Sequence, residues 1–226
     1  RESLDVVKAQ AAGIKKVFFN GQKPESVKQA PCIKKNEAFK TSGQVQYVAQ
    51  NGNFRKKGLE YTGALEILKV ILSYDYLWIN LRVKGGAYGC MSGFKRNGES
   101  FLVSYRDPHL KRTLEVYQGV PDYIRAFEAD EREMTKYIIG TISNKDVPRT
   151  PQMQGSISKT AYFSNVTEDM LQKERNQILG AQKEDIQKLA ALVEARLSDD
   201  QICVVGSETA IEKAEDVFME VKPLIG

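Results

Sequence analysis

Apolar positions along the chain fall into short periodic runs separated by glycine, proline and polar clusters. Within residues 44–50, Val45, Tyr47 and Ala49 fall on one face, the period-2 pattern of a half-buried strand, and Asn51-Gly52-Asn53 reads as its end. Tyr61, Ala64, Leu65, Leu68, Ile71, Leu72 and Trp78 then recur at helical spacing over about five turns, and Val70 and Leu77 thicken the stripe, so this helix is expected to be well buried. Residues 87–94 and 100–106 flank Arg96-Asn97-Gly98-Glu99. Asn-Gly between alternating apolar runs predicts a hairpin whose tight turn takes positive φ at both central residues. Phe101, Val103 and Tyr105 share one face of its second strand.

The remaining punctuation predicts mostly helices. Residues 4–12 have helix-forming composition and stop at Gly13, and residues 14–19 fit a short strand. Gly21, Pro24 and Pro31 mark residues 20–35 as a connector. Residues 110–118 form a short helix, and Pro121 suits the first position of the next. Asp130 with Glu133 has the capping-box spacing and opens a helix over 131–143. Pro148 and Pro151 make 145–155 a loop, two helices follow at 167–179 and 183–197, and 201–205 is a short buried strand. Ser207 caps a last helix running to Val217. Strands and a hairpin interspersed with long helices predict an α+β fold, a mainly antiparallel sheet covered by helices. Residues 1–30 read as a lead-in segment, the end of a preceding domain, and 31–226 as the domain proper; the chain opens as if cut from a longer one.

Composition narrows the function classes. At 226 residues, 42% hydrophobic and 27% charged, the chain is ordinary for a globular protein, and no apolar run is long enough to span a membrane. A net charge of +4, dispersed among acids, argues against nucleic acid as a partner. Cys32, Cys90 and Cys203 form no C-x-x-C pair and fit buried thiols in a reducing intracellular compartment, a bacterial cytoplasm or an organelle matrix. There is one histidine, His109, whereas a zinc hydrolase site needs several nitrogen and carboxylate ligands.

Residues 80–94 concentrate the candidate chemistry, with Arg82, Tyr88 and the glycines Gly85, Gly86, Gly89 and Gly93. The glycines lack the long spacing and the Lys-Ser/Thr ending of a phosphate loop. No Gly-x-Ser-x-Gly elbow exists, and the acids of residues 128–133 are most simply a helix start. His109 after a turn proline reads as structural or solvated. Two readings of Arg82 and Tyr88 stay open on chemistry alone. Arg82 pairs with a surface acid while Tyr88 packs at a sheet edge, or both donate to a peptide carbonyl. In the second reading a guanidinium with fixed charge and a neutral phenol stabilise an oxygen gaining negative charge.

Several motifs in order carry a family resemblance. The segments 82–89, 104–108 and 136–143, with 44–49 and 60–65, resemble the last domain of the presequence-protease branch of the insulinase-type (pitrilysin) zinc metallopeptidases. The likeness runs from about Glu37 to the C-terminus. It implies a four-domain clamshell around a chamber for unfolded peptides, with an H-x-x-E-H zinc motif in the first domain and a further glutamate ligand downstream. It also implies that an arginine and a tyrosine of the last domain reach the scissile carbonyl, here Arg82 and Tyr88. The chain itself has no H-x-x-E-H. The expectation is therefore a domain that binds no zinc and cleaves nothing alone, partnered by the N-terminal catalytic half of its own polypeptide. The alternative is a scaffold domain of a metal-free relative.

Overall fold

The computed structural model describes residues 2–18 and 33–225, and the chain divides into two units, Arg1–Ile33 and Lys34–Gly226. In the first, helix α1 (Glu2–Phe18) runs through Gly13. This corrects both the helix stop at Gly13 and the short strand expected after it. Helix-forming neighbours on both sides outweigh the modest cost of one interior glycine. The expected connector at 20–35 and Cys32 lie largely or wholly outside the described residues.

The second unit opens with strands β1 (Glu37–Thr41) and β2 (Gln46–Asn53), helix α2 (Ala64–Tyr74), and the hairpin strands β3 (Gly89–Phe94) and β4 (Glu99–Asp107). Helices follow: α3 (Lys111–Gln118), α4 (Val120–Arg125), α5 (Glu131–Lys145), α6 (Pro151–Phe163), α7 (Glu168–Leu179), α8 (Lys183–Gln187) and α9 (Leu189–Leu197). Strand β5 (Gln201–Ser207), helix α10 (Glu208–Glu212) and strand β6 (Glu220–Pro223) close the unit. Six strands form one sheet in the order β3-β4-β2-β5-β1-β6. Its β3/β4, β4/β2 and β2/β5 pairs are antiparallel, and β1 runs parallel to both β5 and β6. The α+β architecture is the expected one, with two parallel ladders that the periodicity did not reveal.

Helices cover one face of the sheet. Against it lie Ala38, Val48, Leu102, Ile202 and Val204, all buried. The stripe of α2 contributes Leu65, Leu68, Ile71 and Leu72, each fully buried. At roughly 25 cal/mol per Å² of apolar area, this shared layer is the main stabilising term. Arg196 of α9 is wholly buried and donates from Nη2 to the Gln50 carbonyl at 3.2 Å, tying the helix to β2. Burial pushes its guanidinium down to about 10, still charged at neutral pH. The opposite face is open: Tyr47 and Met91 are exposed, and Ala49, Phe101, Val103, Tyr105, Cys203 and Val205 are half-buried.

That pattern reverses one expectation. Val45, Tyr47 and Ala49 lie on the open face, while Gln46, Val48 and Gln50 are the buried alternates. Gln46 tolerates burial because its Oε1 accepts from the Ser207 amide at 2.7 Å and its Nε2 donates to the Gln44 carbonyl at 3.3 Å. Asn51-Gly52-Asn53 does close the strand, but as its last three residues, all paired with β4, rather than as a turn beyond it. The expected loop at 145–155 contains the start of α6, where Thr150 caps through the Met153 amide and Pro151 takes the first turn. The expected capping box at Asp130 and Glu133 is present.

The hairpin turn differs as well. Gly98 alone takes positive φ, at 90°, its amide donates to the Lys95 carbonyl at 2.9 Å, and Lys95 bonds back to Glu99 at 2.7 Å. This is the three-residue loop with a left-handed glycine, so Asn97 needs no positive φ.

Candidate functional site

The long helix expected through Trp78 is broken. After α2 the chain makes one π-helical turn over Trp78–Val83, with the Lys84 amide donating to the Ile79 carbonyl five residues back, at 2.9 Å. Such turns concentrate where a helix gives up regular bonding to aim side chains. Leu81 is buried beneath it, whereas Trp78 is 39% exposed rather than part of the core. The turn sets Trp78 under Arg82, whose guanidinium carbon lies 4.3 Å from the indole centroid. A cation over an aromatic face at this distance is held without losing its charge or most of its donors.

Two glycines end the turn. Gly86 stands at φ +79°, and its amide donates to the Arg82 carbonyl at 2.9 Å. A Cβ on Gly85 would meet the Leu81 carbonyl oxygen at 2.4 Å, so only glycine allows the chain this close. Gly86→Ala is expected to cost about 1–2 kcal/mol through its left-handed backbone alone. Gly85→Ala should cost more, because the turn itself must open. Urea unfolding midpoints of the two variants check this order.

Tyr88 lies just before β3, anchored by its amide on the Arg106 carbonyl at 3.3 Å. Arg82 Nη1 donates to the Tyr88 carbonyl at 2.7 Å, which fixes the separation of the two side chains. Both are exposed, Tyr88 at 59%, and Arg82 makes no ion pair among the described residues. Around the Tyr88 ring stand Tyr105, at 5.7 Å between centroids, and the guanidinium carbons of Arg82 and Arg106, at 5.8 and 5.5 Å. The arrangement offers solvent a phenol hydroxyl and most of a guanidinium fork beside the open sheet face. Both are donors suited to an anionic or polarised oxygen.

Periodicity gave no hint of Trp78 or Arg106 as neighbours of this pair. Arg106 sits at φ +48°, a conformation that no residue pattern announces.

The other candidates separate from this cluster. His109 is exposed, and its amide donates to Asp107 Oδ1 at 2.9 Å. Asp107 is buried, and its Oδ2 accepts from the Thr113 hydroxyl at 2.7 Å, so it serves the start of α3. Cys90 and Cys203 are free and half-buried, and burial pushes the Cys90 thiol up to about 11, which keeps it protonated and unreactive at neutral pH. Among the described residues no three His, Cys, Asp or Glu side chains gather into a metal-binding group. Nor is any described helix long and apolar enough to cross a membrane.

Comparison with known proteins identifies the family and the fold. Residues 36–208 match the family model described as PreP C-terminal domain. Protein HypA of Clostridium perfringens is 50% identical over 85% of this chain, which covers 20% of that protein. Presequence protease 1, chloroplastic/mitochondrial, of Arabidopsis thaliana is 34% identical over 81% of the chain, which covers 16% of that protein. The chain thus spans a fifth or less of the length of these relatives. Among solved structures, the peptidase M16 inactive domain from Pseudomonas fluorescens matches with a TM-score of 0.59 at 18% identity, covering 98% of this chain and 51% of that one. Pitrilysin matches at 0.57 and 18% identity, over 88% of this chain and 22% of that one. By the family match over most of its length, the chain belongs to the PreP C-terminal domain family, with the fold of the insulinase/pitrilysin peptidase domains.

Proposed function

We propose that this domain works within a longer zinc-dependent metalloendopeptidase, where it helps enclose unfolded peptides and presents Arg82 and Tyr88 to the carbonyl of the bond to be cleaved. The observation that carries the reading is the pairing itself. A guanidinium and a phenol are fixed relative to one another by the Arg82–Tyr88 carbonyl bond, and both face outward beside an open sheet face. Hydrogen-bond donors held in place before reaction stabilise a developing oxyanion without reorganising, which is how such groups lower a barrier. Tyr47, Met91 and Tyr105 give an extended peptide an apolar floor next to those donors.

Among the described residues no group of His, Cys, Asp or Glu fits zinc. A guanidinium and a phenol hydroxyl offer hydrogen bonds rather than metal ligation, and His109 is the one histidine of the sequence. The ligands belong to the N-terminal catalytic half of the same polypeptide, and the role here is confined to binding and polarising the carbonyl. The purified 226-residue chain is accordingly expected to show no chelator-sensitive cleavage of unfolded peptides. Such cleavage, if measured, removes the division of labour. The carbonyl role is tested separately by Arg82→Ala and Tyr88→Phe in the complete polypeptide, assayed on an uncharged peptide. Undiminished turnover in both variants returns the pair to surface packing and favours a scaffold domain.

A further inference from the structure

Arg106 holds a left-handed backbone, φ +48°, at the end of β4, a conformation that L side chains adopt at a cost and that persists where the surroundings impose it. Among the described residues its side chain meets the Tyr88 ring but no carboxylate that would offset that cost further. The guanidinium makes no hydrogen bond and no ion pair there; it stands exposed, 5.5 Å from the Tyr88 ring. Other cations of the segment share the condition. Among the described residues Arg82 and Lys84 have no carboxylate partner, and Arg112 donates from Nη1 to the Lys84 carbonyl at 3.1 Å instead of to an acid. Elsewhere the domain pairs its arginines readily, as Arg96 with Glu174, Arg125 with Glu194 and Arg175 with Asp146. The one acid adjacent in sequence, Asp107, is buried and committed to the His109 amide and the Thr113 hydroxyl. Among the described residues, positive charge at the proposed carbonyl site is therefore left without a carboxylate to compensate it.

We propose that Arg106, which shares the Tyr88 ring with Arg82, receives a peptide carboxylate beside the carbonyl held by Arg82 and Tyr88, and so sets a preference for substrates with acidic groups near the cleaved bond. The inference rests on the carbonyl reading of Arg82 and Tyr88. A planar guanidinium takes a carboxylate through two parallel hydrogen bonds, a geometry that an ammonium does not match. Because the site is exposed, the attraction weakens as salt screens it. The carboxylate has two sources, an Asp or Glu side chain and the peptide's own C-terminus.

The test uses the complete polypeptide and four quenched fluorescent peptides of one sequence. They carry Glu or Gln beside the cleaved bond, each with a free or an amidated C-terminus. The readouts are the ratios of kcat/KM between Glu and Gln peptides and between free and amidated ones. One charge-assisted contact predicts a ratio of about tenfold for one of the two sources, carried by KM and shrinking in high salt. Arg106→Gln should bring that ratio close to one, and Arg106→Lys should keep part of it. Arg106→Gly relaxes the backbone and is expected to raise Tm while still losing the preference, so a folding defect cannot imitate the result. Ratios near one in the parent enzyme, or a preference that survives Arg106→Gln, overturn the inference. Either outcome leaves the carbonyl reading standing, since that is measured on the Gln, amidated peptide with Arg82→Ala and Tyr88→Phe.

Discussion

Tyr88→Phe in the complete enzyme is expected to lower kcat/KM on an uncharged peptide by about 100-fold, the equivalent of roughly 3 kcal/mol of transition-state stabilisation from one donor. The substitution is clean. It removes one hydroxyl from an exposed ring and leaves the contacts with Tyr105, Arg82 and Arg106 in place, so Tm should hardly move. The loss should fall mainly in kcat if the hydroxyl meets the oxygen only as charge develops. Arg82→Ala should cost at least as much, for a reason visible in the geometry. Its guanidinium also holds the Tyr88 carbonyl and stacks on Trp78, so its removal unlatches the tyrosine it works beside. The double variant should therefore fall well short of the product of the single losses, because residues sharing a contact are not additive. A double variant that loses the full product would mean that the two act independently, and the loop geometry would then not be what aligns them. Arg82→Lys keeps charge but neither the planar fork nor the stack, and belongs between the parent and Arg82→Ala.

Much of this architecture was legible in the chain wherever a physical signal is local. The α2 stripe, the capping box at Asp130, the Ser207 cap and the Asn-Gly hairpin all depend on residues within one or two turns of each other. The failures share a different cause. Helix α6 buries no residue, so it writes no apolar period, and its Pro151 sits where a proline is tolerated rather than where it breaks a helix. Strand β1 shows one fully buried position, Ala38, and its order comes from parallel neighbours, β5 and β6, more than 150 residues away in sequence. In β2 the alternation is present, but it runs opposite to the apolar pattern. The apolar residues line the open face, and of the two glutamines inside, Gln46 finds partners there while the Gln50 side-chain amide finds none among the described residues.

The site divides along the same line. Arg82 and Tyr88 stood out because glycines bracket them, and those glycines have identifiable backbone tasks at Gly85 and Gly86. Trp78 was misplaced in the core because a helical period was extended past the point where the helix widens. Arg106 lay beyond reach, since a left-handed arginine at a strand end leaves no trace in composition or spacing.

Glu174→Gln is expected to be the most damaging single change to stability outside the apolar core. The carboxylate is 4% exposed and is bonded by two cations at once, Arg96 from the hairpin tip and Lys145 from the end of α5. It thereby joins the β3-β4 hairpin, α5 and α7. Breaking a buried pair typically costs about 3–5 kcal/mol because a charge is left uncompensated. Arg96 and Lys145 keep 33% and 29% side-chain exposure and can turn partly to water, which places this case near the lower bound. A loss of about 3 kcal/mol corresponds to a fall in Tm of roughly 6–12 °C for a domain of this size. Arg96→Ala should be milder, since Glu174 retains Lys145. Chemical unfolding should show a lower midpoint with an unchanged slope, the mark of lost stability rather than altered compactness. A midpoint for Glu174→Gln within error of the parent would show that the two cations gain as much from water as from the buried carboxylate.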